Sequence, residues 1–135
     1  MCLLDEVLVW DTTLIRCRSA THRASGNPLR AHGRLGAACG IEYAAQAMAV
    51  HGALIASAVG TRAPEGFLAS VRNVQLCIER LDELRDDLIA SATRVHGDEA
   101  TALYDFSLCE ADRLLLCGRA AIAFKLPGRD SSRRS

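Results

Sequence analysis

Glu42 is the only charged residue in the run GIEYAAQAMAVHGALIASAV, Gly40 to Val59. A carboxyl group among apolar neighbours loses water, and that favours exchange of its proton as a general acid or base. A plainer reading stands beside it: an acidic residue in the first turn of a helix is favoured by the helix dipole alone. Gln46 lies one turn further along the same face, where its amide could orient Glu42 or hydrogen-bond a substrate. Ahead of this run, His22 and His32 lie in a stretch rich in Gly, Arg and His between Ser19 and Cys39. Either could accept a proton near neutral pH, and either could equally be a solvated loop histidine. His51 sits mid-run and reads as a core histidine. Cys39 could be a thiolate favoured by the helix dipole, although no base accompanies it.

The elements that must place these groups follow from periodicity. Gly40–Val59 is dense in strong helix formers and apolar nearly all round, which predicts a central helix enclosed by protein. Glu42, Gln46 and His51 interrupt it, and alanine inserts weakly into lipid, so no membrane span is predicted. Before it, Val7–Trp10 and Thr13–Arg18 read as strands joined at Asp11-Thr12. Asn27-Pro28 marks a turn in the loop that follows. After the helix come Gly66–Arg80, with alternation faltering near Asn73 as at a bulge, and Leu88–Val95, turning at His96-Gly97-Asp98. Ala102, Tyr104, Phe106 and Leu108 alternate with Leu103, Asp105, Ser107 and Cys109, and Leu114 to Phe124 repeats the period of two. One helix and about six strands predict an α+β fold in which a curved antiparallel sheet wraps the helix. Open sheet edges make dimerisation the expected remedy. Residues 1–126 read as a single domain, and PGRDSSRRS at 127–135 as a disordered tail.

Composition narrows the function. Sixteen basic residues balance sixteen acidic ones, which argues against a protein that coats itself with nucleic-acid backbone. Half the residues are hydrophobic but only 4% are aromatic, so an apolar pocket must be lined mainly by aliphatic side chains. The six cysteines show neither zinc nor C-x-x-C spacing, and Met1–Glu6 does not open a secretory leader. Free thiols in a reducing cytoplasm are the expectation. No H-E-x-x-H cluster and no Gly-rich phosphate loop occurs, so neither metal nor cofactor is predicted.

The segments CLLDEVLVWD, GIEYAAQAMAVHG, SVRNVQLCIERLDEL and GRAAIAF resemble the hotdog-fold 3-hydroxyacyl-acyl-carrier-protein dehydratases. The similarity is greatest to the ApeP-type branch associated with aryl-polyene synthesis, and GIEYAAQAMA at 40–49 is its most specific piece. The chain lacks the G-H-F-P-G loop of the ordinary fatty-acid branch, and Gly36-Ala37 stands where a proline is common. What the resemblance implies is dehydration of 3-hydroxyacyl thioesters to trans-2-enoyl thioesters. A histidine, His22 before His32, would remove the α-proton, and Glu42 would protonate the departing hydroxyl. Amides near Gly40 would hold the thioester carbonyl, with Gln46, Asn27 and His32 as further substrate contacts. A second register, in which Gln46 falls on the acid position of the ordinary branch and pairs with His32, stays open. The implied partners are acyl carrier protein bearing a phosphopantetheine-linked chain, and a second hotdog dehydratase chain, identical or not. Arg16, Arg18, Arg23, Arg30 and Arg34 could form a basic rim for that acidic carrier, or simply a solvated face. A hotdog thioesterase, with Glu42 activating water, and a non-catalytic partner subunit are the alternatives.

Overall fold

The computed structural model describes residues 2–62 and 64–125; the segment 127–135, expected to be disordered, lies outside them. Strands β1 (Glu6–Trp10) and β2 (Leu14–Ser19) precede helix α1 (Gly40–Ala58). After it come β3 (Gly66–Leu76), β4 (Leu88–Gly97), β5 (Thr101–Glu110) and β6 (Arg113–Phe124). They form one antiparallel sheet in the order β1-β2-β4-β5-β6-β3, with β1 and β3 as its edges. Between β1 and β2, Asp11 Oδ1 accepts the amides of Thr13 at 2.7 Å and Leu14 at 2.9 Å, which closes the expected turn.

The inner face of the sheet follows from the period of two. Ile15 and Cys17 of β2, Ala90 and Ala92 of β4, and Phe106 and Leu108 of β5 are all buried. They lie opposite one another in register. Against them α1 lays Tyr43, Ala44, Ala47, Met48 and His51. Each large apolar side chain so enclosed contributes about 1.5–3 kcal/mol. The helix comes closest at Gly40, where an added Cβ would stand 2.5 Å from Leu116 Cδ2 and 2.8 Å from Leu108 Cδ2. Both leucines are fully buried, so any shift that admitted the methyl would be made inside the core.

Four expectations need correction. The helix is not enclosed on all sides: Glu42, Ala49, Ala53 and Ser57 are exposed, because the sheet curves over only one flank. Strand β3 ends at Leu76 rather than Arg80, and its bulge between Arg72 and Gln75 contains Asn73 at φ 55°. Leu114 is 39% exposed while Leu115 and Leu116 are both buried. A bulge against Leu108/Cys109 makes Leu115 the extra residue and shifts the alternation. The β4–β5 turn lies at Asp98–Ala100, where Asp98 Oδ1 accepts the amides of Ala100 and Thr101. Outside the core, β1 and β3 leave Leu8, Val9, Phe67 and Leu76 each about half exposed or more.

The close approach at Gly40 generates a prediction. Gly40→Ala should lower unfolding free energy by about 1–3 kcal/mol in denaturant titrations, since the methyl overpacks a filled core. Gly52→Ala, which meets no atom within 4 Å, should instead be neutral or stabilising by about 0.5–1 kcal/mol. Equal effects from the two would contradict this packing.

Candidate active site

The loop from Ala20 to Cys39 is held by polar groups rather than by apolar packing alone. Tyr43, fully buried in the first turn of α1, meets Thr21 Oγ1 at 2.9 Å and accepts from Asn27 Nδ2 at 3.0 Å. Thr21 and Ser19 both donate to the Leu3 carbonyl, so the Tyr43 hydroxyl donates to Thr21. Asn27 also donates to the Thr21 carbonyl and accepts from the Leu29 amide, 2.9 Å each. Arg30 donates to three loop carbonyls, Ala24 and Gly33 at 2.8 Å and His22 at 3.1 Å. Further on, Asp82 accepts from the Leu35 amide at 2.9 Å and from Arg80 at 2.5 Å. The Arg80 guanidinium holds the Asp82 carboxyl far below the usual carboxylate range.

Each proposed site residue can now be placed. His22 lies in a short helical turn directly after β2 and is fully buried. Its Nε2–H donates to the Leu84 carbonyl at 3.1 Å, which leaves Nδ1 with a bare lone pair and no partner. Burial pushes its pKa below the ordinary value, so the ring is neutral. His32 stands at the tip of a two-residue turn with φ 54°, followed by Gly33 at φ 75°, and is exposed. The amides and carbonyls of Ala31 and Arg34 close that turn. Asn27 is structural in its contacts, tying the loop to Tyr43. Gln46 Oε1 accepts the Leu3 amide at 2.8 Å and so fastens the segment before β1. His51 is the core histidine expected: Nε2 donates to the Asp11 carbonyl and Nδ1 accepts from Tyr104, both 2.7 Å. Of the arginines, Arg18 and Arg23 pair with Asp87, whereas Arg16 and Arg34 are exposed.

Glu42 is the group that meets open space. It lines a cavity of about 540 Å³ along the exposed flank of α1, with Gln46, Ala49, Gly52, Ala53 and Ala56 behind it. Small side chains at successive turns make the room; β3 and β6 contribute Phe67, Leu68, Ile122 and Phe124. The expectation that helical neighbours alone strip water from Glu42 does not hold in one chain, since it faces outward. Neither His22 nor His32 lines the cavity, and neither ring bonds to Glu42. Tyr43 and Thr21 were not singled out from the sequence, nor was Arg94, which also lines the cavity. Arg94 carried a readable signal, because it continues the inward row Leu88, Ala90, Ala92. Among the described residues no group of His, Cys, Asp and Glu could hold a metal ion, and no helix is long and apolar enough to cross a membrane.

One helix against a curved six-stranded antiparallel sheet, with a cavity along the exposed flank of the helix, defines a hotdog-fold protein. The chain belongs to the ApeP-like family, described as ApeP dehydratase, which matches residues 1–126. It is similar in structure to the dehydratase heterocomplex ApeI:P from Xenorhabdus doucetiae: TM-score 0.86, 18% identity, 97% of this chain and 88% of that one. It is also similar to mutant thioesterases from Staphylococcus aureus (TM-score 0.64, 15% identity, 90% and 93% covered) and Pseudomonas aeruginosa (0.62, 14%, 87% and 78%). Comparison with curated proteins gives no match.

The two buried histidines set a pH dependence. Burial lowers the pKa of His22 and of His51, whose free value is near 6.5, so both are neutral when folded. Below about pH 6.5 the unfolded chain takes up protons that the folded chain refuses, and stability falls as pH falls. Between about pH 7 and 5 the denaturant midpoint should therefore drop, each histidine contributing at most about 1.4 kcal/mol per pH unit. His51→Gln should flatten that slope; a midpoint independent of pH over this range would contradict it.

Proposed function

We propose that the chain is one half of a dehydratase active site for 3-hydroxyacyl thioesters presented by acyl carrier protein, and that Glu42 is its carboxyl group. The observation that carries this reading is Glu42 at the edge of a 540 Å³ cavity whose other lining is mostly small and apolar. The cavity suits an acyl chain, and Glu42, in the first turn of α1, suits a reacting centre close to the positive end of the helix dipole. Membership of a dehydratase family supports the reaction type.

In the proposed reaction a histidine takes the α-proton and the electron pair forms the C2–C3 double bond. The C3–O bond breaks, and Glu42 delivers a proton so that water leaves. The Gly40 amide, expected to hold the thioester carbonyl, donates instead to the Ala37 carbonyl, so the positive end of the α1 dipole is what favours the negative charge developing on the thioester oxygen. The base comes from a second chain laid over the cavity. The similarity to a heterocomplex of hotdog dehydratases supports a two-chain site, and so do the uncovered apolar side chains of β3. In a pair of identical chains the base we assign is His32, exposed at its turn tip. His22 is enclosed and tied to Leu84, and it positions the loop. The exposed Arg16 and Arg34 are left to meet an acidic carrier, whereas Arg30 is engaged by the loop.

Glu42→Gln preserves shape, and because Glu42 is exposed the variant should fold as the parent does. Dehydration of a 3-hydroxyacyl thioester, followed by the ultraviolet absorbance of the enoyl product, should fall by roughly 10²-fold or more. His32→Asn should fall comparably in the homodimer, and His22→Asn should act mainly on thermal stability. Near-normal turnover by Glu42→Gln would end the assignment. Release of free thiol without enoyl product would identify a thioesterase instead.

A further inference from the structure

Arg94 is a cation in a place where the fold does not need one. On β4 it follows Leu88, Ala90 and Ala92 on the inward face, and in register it stands opposite Tyr104 of β5. The bulge between Arg94 and His96 ends that row. Its guanidinium makes no hydrogen bond or ion pair with any described residue, and its Nε is buried without a partner. A buried donor left unpaired costs about 1–3 kcal/mol, so a fold that keeps one inside its apolar row retains it against its own stability.

The surroundings define what could satisfy it. A Cβ at Gly97 would overlap the guanidinium, so the absence of a side chain there forms its seat. Tyr104 offers no proton, because its hydroxyl hydrogen is committed to His51 Nδ1. Asp98 and Glu99 also line this end of the cavity, but both are acceptors and neither pairs with the guanidinium; Asp98 accepts the amides of Ala100 and Thr101. Among the described residues the guanidinium is therefore the strong donor that Ala102, Ile122 and Phe124 leave at the cavity end away from Glu42. His51, which feels the Arg94 charge, is nine residues beyond Glu42 on the same helix. That separation is about 13 Å at the helical rise, roughly the extended length of a ten-carbon acyl chain.

We infer that Arg94 reads the far end of the acyl chain, and that the cavity selects chains ending in an oxygen acceptor over chains ending in a methyl group. The inference rests on the cavity being the acyl site. It does not depend on which reaction follows. A terminal carboxylate would form a charge-assisted pair, and a terminal hydroxyl or carbonyl a neutral-acceptor bond, with the same N–H groups.

Binding without turnover tests it, using the full chain and three pantetheine thioesters, decanoyl, ω-hydroxydecanoyl and ω-carboxyl decanedioyl, measured by calorimetry. The oxygen-ended probes should bind about tenfold or more tightly than decanoyl, as expected for a hydrogen bond to a charged donor. Tighter binding of the carboxyl probe than of the hydroxyl probe assigns an anionic chain end, and the reverse assigns a neutral one. Arg94→Leu should erase the preference, so that the three probes bind alike, and Arg94→Lys should restore part of it. Gly97→Ala, which displaces the guanidinium without removing it, should weaken only the oxygen-ended probes. Equal binding of all three to the parent, or a preference that survives Arg94→Leu, would overturn the inference. Failure of every probe to bind would overturn it together with the acyl site. Intact preference in a chain that dehydrates nothing would leave it standing and remove only the dehydratase reading.

Discussion

A single helix has to shield the inner face of a six-stranded sheet, and one helix is too narrow for that task. Close contact of Gly40 with Leu108 of β5 and Leu116 of β6, the hydrogen bonds of Tyr43 to the loop after β2, and the packing of α1 on β2, β4 and β5 fix the helix to one side of the sheet. The opposite flank, with the inner surface of β3 and part of β6, is left bare. From this follow the cavity, the outward position of Glu42 and the uncovered apolar side chains of β3. The small residues Ala49, Gly52, Ala53 and Ala56 keep that flank from filling itself.

The same commitment orders the loop before the helix. Its shape is determined by Asn27, Arg30 and Asp82, which bond its backbone groups, and by Tyr43, whose hydroxyl holds the side chains of Thr21 and Asn27. Such a loop is rigid near His22 and open near His32. This division explains why the two histidines, equivalent in type, differ in what they can reach.

Much of the architecture was readable from residue periods. The inward row of β5, the bulge at Asn73 and the core position of His51 follow from local pattern alone. The Leu115 shift was not readable, because a bulge in β6 depends on how β5 is paired. Nor was the exposure of Glu42: apolar circumference predicts burial, but whether one chain has enough sheet to deliver it is a property of the whole fold. Arg94 was legible in principle, as a charge on an otherwise apolar inward row, and it is the place where local consistency breaks. The histidine's partner could not be found within the chain because the acid faces a cavity that neither loop histidine lines.

The central claim is a site shared between two chains, with the carboxyl on one and the histidine on the other. It is tested most directly by mixing two separately inactive proteins, Glu42→Gln and His32→Asn, under conditions that let subunits exchange. In a symmetric dimer each mixed pair holds one intact site, so turnover should recover to about a quarter of the parent level. Mixtures as inactive as their components would contradict a site divided in this way.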